Sequence, residues 1–241
     1  YQRGVLLVFD RDTLELKCEV SYPSNSFREG WGLYYDANIT NRLYVTDGTD
    51  RIYKVRFEGC DSRLITETEL KVSALLENNL RVKITGLNDL TFDPVKQIWW
   101  IVINKSHCVI GVDSNSGIAT RWVDLSAFGP RSSLFEKAGD MNGIAMDTTL
   151  RHFLLTGKNW PYIYEFVLGE KVSSGKNGAS SSEKFRKLCL HENYYSDSTS
   201  STSGSGRTEE GGKNKNLDDG QHNRGENLLN GLLSSLLFMN E

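Results

Sequence analysis

Three copies of one six-residue pattern constrain this chain more than anything else in it. They are Trp31-Gly32-Leu33-Tyr34-Tyr35-Asp36, Asn88-Asp89-Leu90-Thr91-Phe92-Asp93 and Asn142-Gly143-Ile144-Ala145-Met146-Asp147, and their starts lie 57 and 54 residues apart. In each copy a polar or aromatic leader opens an alternating strand that ends on Asp, and a second strand follows after a turn. Eleven residues beyond each terminal Asp stand Asp47, Asn104 and Lys158, which falls in the turn between the second and third strands. Those turns rise into Ile52-Tyr53-Lys54-Val55, Val109-Ile110-Gly111-Val112 and Ile163-Tyr164-Glu165-Phe166. Aligning Val8-Phe9-Asp10 with Gly111-Val112-Asp113 places Tyr1 at the position of Asn104.

Units of roughly 40 to 60 residues, each a small antiparallel sheet, predict an all-β chain folded as a β-propeller over residues 1–170. The innermost strand of every blade lines a central channel, so equivalent positions on different blades converge near the axis. Two rings follow: Trp31, Asn88 and Asn142 on the first strands, and Tyr1, Asp47, Asn104 and Lys158 at the turns. Closure takes at least about four blades. The chain offers two nearly complete units, a third missing its outer strand and half of a fourth, which leads us to expect further sequence ahead of Tyr1.

Beyond the repeat, residues 171–227 turn to Ser, Gly, Asn and Lys and are predicted to be disordered, because such a segment buries too little apolar surface to offset its ordering entropy. Within it, residues 185–195 contain Leu188, Cys189 and Leu190 and read as a short strand added to the last sheet. Leu228, Leu229, Leu232, Leu233, Leu236 and Leu237 recur in pairs every four residues and predict an amphipathic helix over residues 228–239. With no Lys or Arg on its polar face, it reads as a helix packed on its own propeller rather than on a membrane surface.

Several function classes are excluded at this level. The 28 basic and 31 acidic residues leave a net charge of −3, and no basic stripe interleaves with aromatics, so nucleic acid is not the expected partner. No stretch reaches the roughly 20 apolar residues of a membrane span. His107, His152, His191 and His222 are dispersed without ligand spacing, so no metal site is expected. Cys18, Cys60, Cys108 and Cys189 form no CxxC pair and read as separate core thiols. Asn38-Ile39-Thr40 and Asn104-Lys105-Ser106 are glycosylation sequons, and Asn104 is expected to stay unmodified because a sugar there would block the channel mouth.

Six motifs in order then carry a family resemblance: Glu29-Gly30-Trp31-Gly32-Leu33, Thr46-Asp47-Gly48-Thr49, Leu87-Asn88-Asp89-Leu90, Trp122-Val123-Asp124-Leu125, Met141-Asn142-Gly143-Ile144-Ala145 and Thr156-Gly157-Lys158-Asn159-Trp160-Pro161. Over residues 1–168 the chain resembles the plant-latex and bacterial glutaminyl cyclases. That resemblance implies a five-bladed propeller with its active site at one mouth of the channel. It implies conversion of N-terminal glutamine of peptides and proteins to pyroglutamate with release of ammonia, without cofactor or metal. Trp31 would be an aromatic wall of the substrate pocket, Asn88 a polar residue needed for activity and Lys158 a lysine important for turnover. Tyr1 and Asn104 stand where the family has two pocket tryptophans, and Asn142 completes the lining. The family's general acid/base is a glutamate in a Glu-Gly-Leu-Thr segment, the counterpart of Trp31-Gly32-Leu33-Tyr34 one blade earlier, which would lie upstream of Tyr1. The family's Leu-Asn-Glu-Leu-Glu reads Leu-Asn-Asp-Leu-Thr here, so the pocket is expected to be less aromatic and more polar. The resemblance further implies a monomer of the secretory pathway or the extracellular space.

Cyclising glutamine requires a neutral α-amine to attack the side-chain carbonyl, donors for the developing oxyanion and a proton for the departing ammonia. Lys158 or Asn88 fits the oxyanion role, and Trp31 fits that of a wall that folds the glutamine chain into an attack-ready shape. The alternative is a propeller that keeps the scaffold without catalysis, as a peptide-binding or protein-binding module.

Overall fold

A computed structural model of the chain describes residues 4–23, 26–36, 39, 41–76, 79–129, 138–169, 185 and 187–190. These lie in one compact unit, Tyr1–Tyr195. Tyr1, the helix expected at 228–239 and all of 171–227 except 185 and 187–190 fall outside the described residues.

The strands follow the repeat as propeller blades. Strands β1 (Val5–Phe9) and β2 (Leu16–Ser21) pair as one two-stranded sheet. Strands β3 (Gly32–Tyr35), β4 (Arg42–Thr46), β5 (Arg51–Arg56) and β6 (Ile65–Lys71) form a four-stranded meander. In the next blade β9 (Leu87–Asp93), β10 (Ile98–Ile103), β11 (Cys108–Asp113) and β12 (Ile118–Asp124) make a second meander. Finally β13 (Met141–Asp147), β14 (His152–Gly157) and β15 (Tyr164–Phe166) make a three-stranded sheet.

Local chemistry explains why β1, β9, β11 and β13 end on or just before an Asp. The carboxylate Oδ1 of Asp10 accepts the N–H groups of Asp12 and Thr13, that of Asp93 those of Val95 and Lys96, that of Asp113 those of Asn115 and Ser116, and that of Asp147 those of Thr149 and Leu150. These are Asx turns, in which a short acidic side chain mimics the backbone and reverses the chain. Each turn closes through a left-handed residue: Leu14, Gln97, Gly117 and Arg151 all have φ between 56° and 70°.

Packing is strongest where β10 lies between blades. All six of its residues, Ile98–Ile103, are buried. Trp99 faces Tyr34, Tyr44 and Phe92, whereas Trp100 meets Phe153 edge-on, so alternate faces of one strand seal two different inter-blade seams. An ion pair spans the second seam, with Arg151 Nη2 at 2.8 Å from Oδ2 of buried Asp93.

Two expectations are corrected. The cysteines are not separate thiols: Cys18 bonds Cys60 and Cys108 bonds Cys189. The segment read as a strand at 185–195 is helical where it is described, at Phe185 and at 187–189. Phe185, Leu188 and Cys189 are spaced three and four apart, which puts all three on one helical face; Phe185 and Cys189 are buried in the blade core with Leu188 packed against them, and the Cys108 bond ties the turn to β11. The repeat also conceals a hairpin, β7 (Ser73–Leu75) and β8 (Arg81–Lys83), whose first strand runs parallel to β12 and widens that blade to six strands.

Candidate functional site

The inner-ring asparagines both stand at breaks in their ladders. Register passes from Ile103↔Leu87 to Ile101↔Leu90, so Asn88 and Asp89 together oppose Val102 alone. In β13 it passes from Met141↔Gly157 to Gly143↔Thr156, and Asn142 is the extra residue. Such β-bulges bend a strand and re-aim a side chain, and they concentrate beside active sites. Asn88 is 3% exposed and Asn142 is half-buried.

Buried Thr46 holds the first of these bulges against the neighbouring blade. Its hydroxyl donates to the Asn88 carbonyl across 2.6 Å and accepts the Gly32 N–H at 2.9 Å. The approach is so close that a Cβ on Gly32 would lie 2.5 Å from the Asn88 carbonyl oxygen and 2.7 Å from Asp89 Cα. Only glycine fits there, so the residue after Trp31 and the backbone of Asn88 are pressed together.

Trp31 precedes β3 and its N–H donates to Thr46 O at 2.8 Å. Its indole lies over Gly48, where a Cβ would come within 2.7 to 2.8 Å of three ring atoms, and Nε1 donates to Glu29 Oε2 at 3.0 Å. At 39% exposure the ring is accessible rather than buried in the core. It also lines an apolar cavity of about 200 Å³ shared with Leu6, Tyr22, Leu33, Leu43 and Val45.

The turn ring has a common backbone. Asp47, Asn104 and Lys158 each follow the second strand of their blade, and the next residue is left-handed in every case: Gly48 (φ 83°), Lys105 (55°) and Asn159 (56°). Main-chain bonds link two of these turns to the start of β9: Gly48 N to Leu87 O, Gly86 N to Gly48 O and Asn104 N to Gly86 O. The turns that carry Asp47 and Asn104 are thereby tied to the strand that carries Asn88. Asp47 is occupied by Thr49 and by the Tyr53 hydroxyl. In the Asn104 sequon the Ser106 hydroxyl donates to Ile103 O and accepts the Cys108 N–H.

Lys158 sits on the last blade, with its N–H on Asp140 O and its carbonyl accepting the Gly139 N–H. Its side chain is exposed, and among the described residues it shares no hydrogen bond with Asn88. Trp160 is structural, donating from Nε1 to Gly139 O and packing on Tyr164.

One channel residue has no part in the sequence-derived site. Asp89 Oδ2 accepts the Ile144 N–H at 2.9 Å, and the nearby Leu90 and Leu33 amides also favour its charged form. Burial pushes this carboxyl above the ordinary value of 3.8, against the pull of the three amides. Its signal in the sequence is an acidic residue at the repeat position where both other copies carry glycine, Gly32 and Gly143. Among the described residues no three His, Cys, Asp or Glu side chains gather as a metal site, and no helix is long and apolar enough to cross a membrane.

The described strands build the blades of a β-propeller, with Trp31, Asn88 and Asn142 at or beside the starts of the first strands of their blades. The chain belongs to the glutamine cyclotransferase family, whose model it matches over residues 1–168. It is 27% identical over 153 residues to a glutaminyl-peptide cyclotransferase of Arabidopsis thaliana, covering 63% of this chain and 43% of that protein. A crystal structure of Myxococcus xanthus glutaminyl cyclase is similar to it with a TM-score of 0.51 and 20% identity, over 68% of this chain and 64% of that one. The chain thus spans less than two thirds of the length of either relative.

Proposed function

We propose that this chain contributes the pocket of a glutaminyl-peptide cyclotransferase that works without a metal ion. The observation that carries the reading is the seating of Asn88: a bulged, buried asparagine tied through Thr46 to the strand that begins beside Trp31. In the reaction the substrate's α-amino nitrogen bonds to its own side-chain amide carbon, the carbon–nitrogen bond to the amide nitrogen breaks, and the amine proton ends on the departing ammonia. Asn88 and Lys158 supply donors for the oxyanion, worth about 10²–10³ in rate per donor in comparable sites. Trp31 supplies the flat wall on which the glutamine chain folds, and Asn104 and Asn142 line the mouth. The sequence contains no Glu-Gly-Leu-Thr segment, so the proton-shuttling glutamate is assigned to a segment outside Trp31, Asn88 and Lys158.

Two disulfides support an oxidising compartment, the secretory pathway or the extracellular space, where exported peptides beginning in glutamine are met. The test is ammonia release from a glutamine-initiated peptide by the intact protein in excess chelator. Release is expected to persist. Loss of activity on chelation would overturn the metal-free mechanism, and peptide binding without release would favour the non-catalytic module, for which Asn104 and the Asp89-Leu90-Thr91 departure from the family pattern speak.

A further inference from the structure

The innermost strands β3, β9 and β13 belong to three separate sheets. No ladder runs between them, so their inward edges present N–H groups that need other partners. Asp89 serves one of them. From the bulge in β9 its carboxyl accepts Ile144 N–H from β13 at 2.9 Å, and the nearby Leu33 amide of β3 and Leu90 amide of its own strand favour its charge. The flanking copies make room: a Cβ on Gly143 would stand 3.9 Å from Asp89 Oδ2, and Gly32 packs on Asp89 Cα. The Ile144 donor lies two residues past Asn142 and Leu33 two residues past Trp31, while Asp89 itself follows Asn88.

We propose that Asp89 is a positioning residue whose carboxylate bolts β9 to β13, with Gly32 of β3 packed on its Cα, and so sets Asn88 and Asn142 relative to one another and to Trp31. A carboxylate is an acceptor with no donor, which suits a site lined by amide N–H groups; an asparagine is a neutral, weaker acceptor and turns an NH₂ toward them. The catalytic consequence rests on the cyclotransferase reading, whereas the bolt does not.

The experiment compares the unaltered protein with Asp89→Asn and Asp89→Glu by amide hydrogen exchange and proton chemical shift, then by kinetics with a glutamine-initiated peptide. In the unaltered protein the Ile144 amide is expected to resonate downfield and to exchange at least about tenfold more slowly than amides without a partner. Asp89→Asn should move that resonance upfield and reduce its protection, and Asp89→Glu should keep it. Turnover should fall at least about tenfold in Asp89→Asn with KM changed far less, and Asp89→Glu should recover most of it. An unprotected Ile144 amide in the unaltered protein, or one unmoved by Asp89→Asn, would overturn the proposal; the first of these needs no variant to fold. A moved Ile144 amide in a protein that releases no ammonia upholds the bolt and refutes the cyclotransferase reading alone.

Discussion

The Thr46 hydroxyl donates to the Asn88 carbonyl across 2.6 Å while accepting the Gly32 N–H, so one fully buried side chain joins two blades at the candidate site. Thr46→Val keeps the shape and removes both bonds, stranding a buried carbonyl and a buried N–H. Each stranded group costs about 1–3 kcal/mol. Urea unfolding is expected to show a loss of about 2–4 kcal/mol, and Thr46→Ser should retain most of the stability. A valine variant as stable as the parent would show that water or a shifted backbone replaces the hydroxyl.

The two repeat glycines should differ in what they tolerate. A Cβ at Gly32 meets backbone, at 2.5 Å from Asn88 O and 2.7 Å from Asp89 Cα, and backbone cannot step aside. At Gly143 the nearest atom is the Thr156 Cγ2 methyl at 2.8 Å, a side-chain atom with some freedom. Gly32→Ala is expected to cost about 2–3 kcal/mol by overpacking and to weaken peptide binding at Trp31, and Gly143→Ala to cost less. Thermal unfolding of both variants side by side checks the order.

These residues show which parts of the molecule the sequence discloses. Asp10, Asp93, Asp113 and Asp147 announce strand ends because an Asx turn is made within four residues, and Asn104 and Lys158 can be counted from the second and fourth of them. The bulges at Asn88 and Asn142 leave no such mark, since one extra residue alters register without altering composition. Thr46 looks like any strand-ending threonine, for its partner is 42 residues away. The disulfides bridge 42 and 81 residues, so their pairing depends on the packing of blades rather than on spacing. The contiguous Leu188-Cys189-Leu190 suggested a strand, but burial followed the helical spacing of Phe185, Leu188 and Cys189. Asp89 was visible as an exception to a repeat glycine and to the family pattern, but its Ile144 partner is 55 residues away on a strand that no local rule brings to it.

Carboxylates at the turns and in the channel should respond to acid with opposite sign. The Ser116 N–H holds Asp113, and the Leu150 N–H holds Asp147, below the ordinary carboxylate value of 3.8. A depressed group contributes stability above its unfolded value and loses it as pH falls through the folded one. Asp89 is raised by burial, so the native state holds that proton more tightly than the unfolded state, and its contribution declines as pH rises through the window above 3.8. Urea midpoints are therefore expected to fall below about pH 4. The pair Asp113→Asn and Asp147→Asn should flatten that limb with little change at neutral pH, because asparagine also makes Asx turns. An unchanged acid limb would assign the loss to other carboxylates.

Lys158 offers the sharpest separation of catalysis from architecture. What the fold uses at this position is main chain: its N–H on Asp140 O and its carbonyl under the Gly139 N–H, followed by the left-handed Asn159. The ammonium is exposed and serves no internal bond among the described residues, so Lys158→Ala should change unfolding free energy by less than about 0.5 kcal/mol. If the ammonium steadies the oxyanion, the same variant should lose about 10²-fold in turnover with KM changed far less, since the interaction forms only as charge develops. Lys158→Arg keeps the charge but spreads it over a planar fork, and is expected to restore part of the rate. Turnover by Lys158→Ala equal to that of the unaltered protein would leave Asn88 as the oxyanion donor and reduce Lys158 to a turn residue whose side chain the reaction does not need.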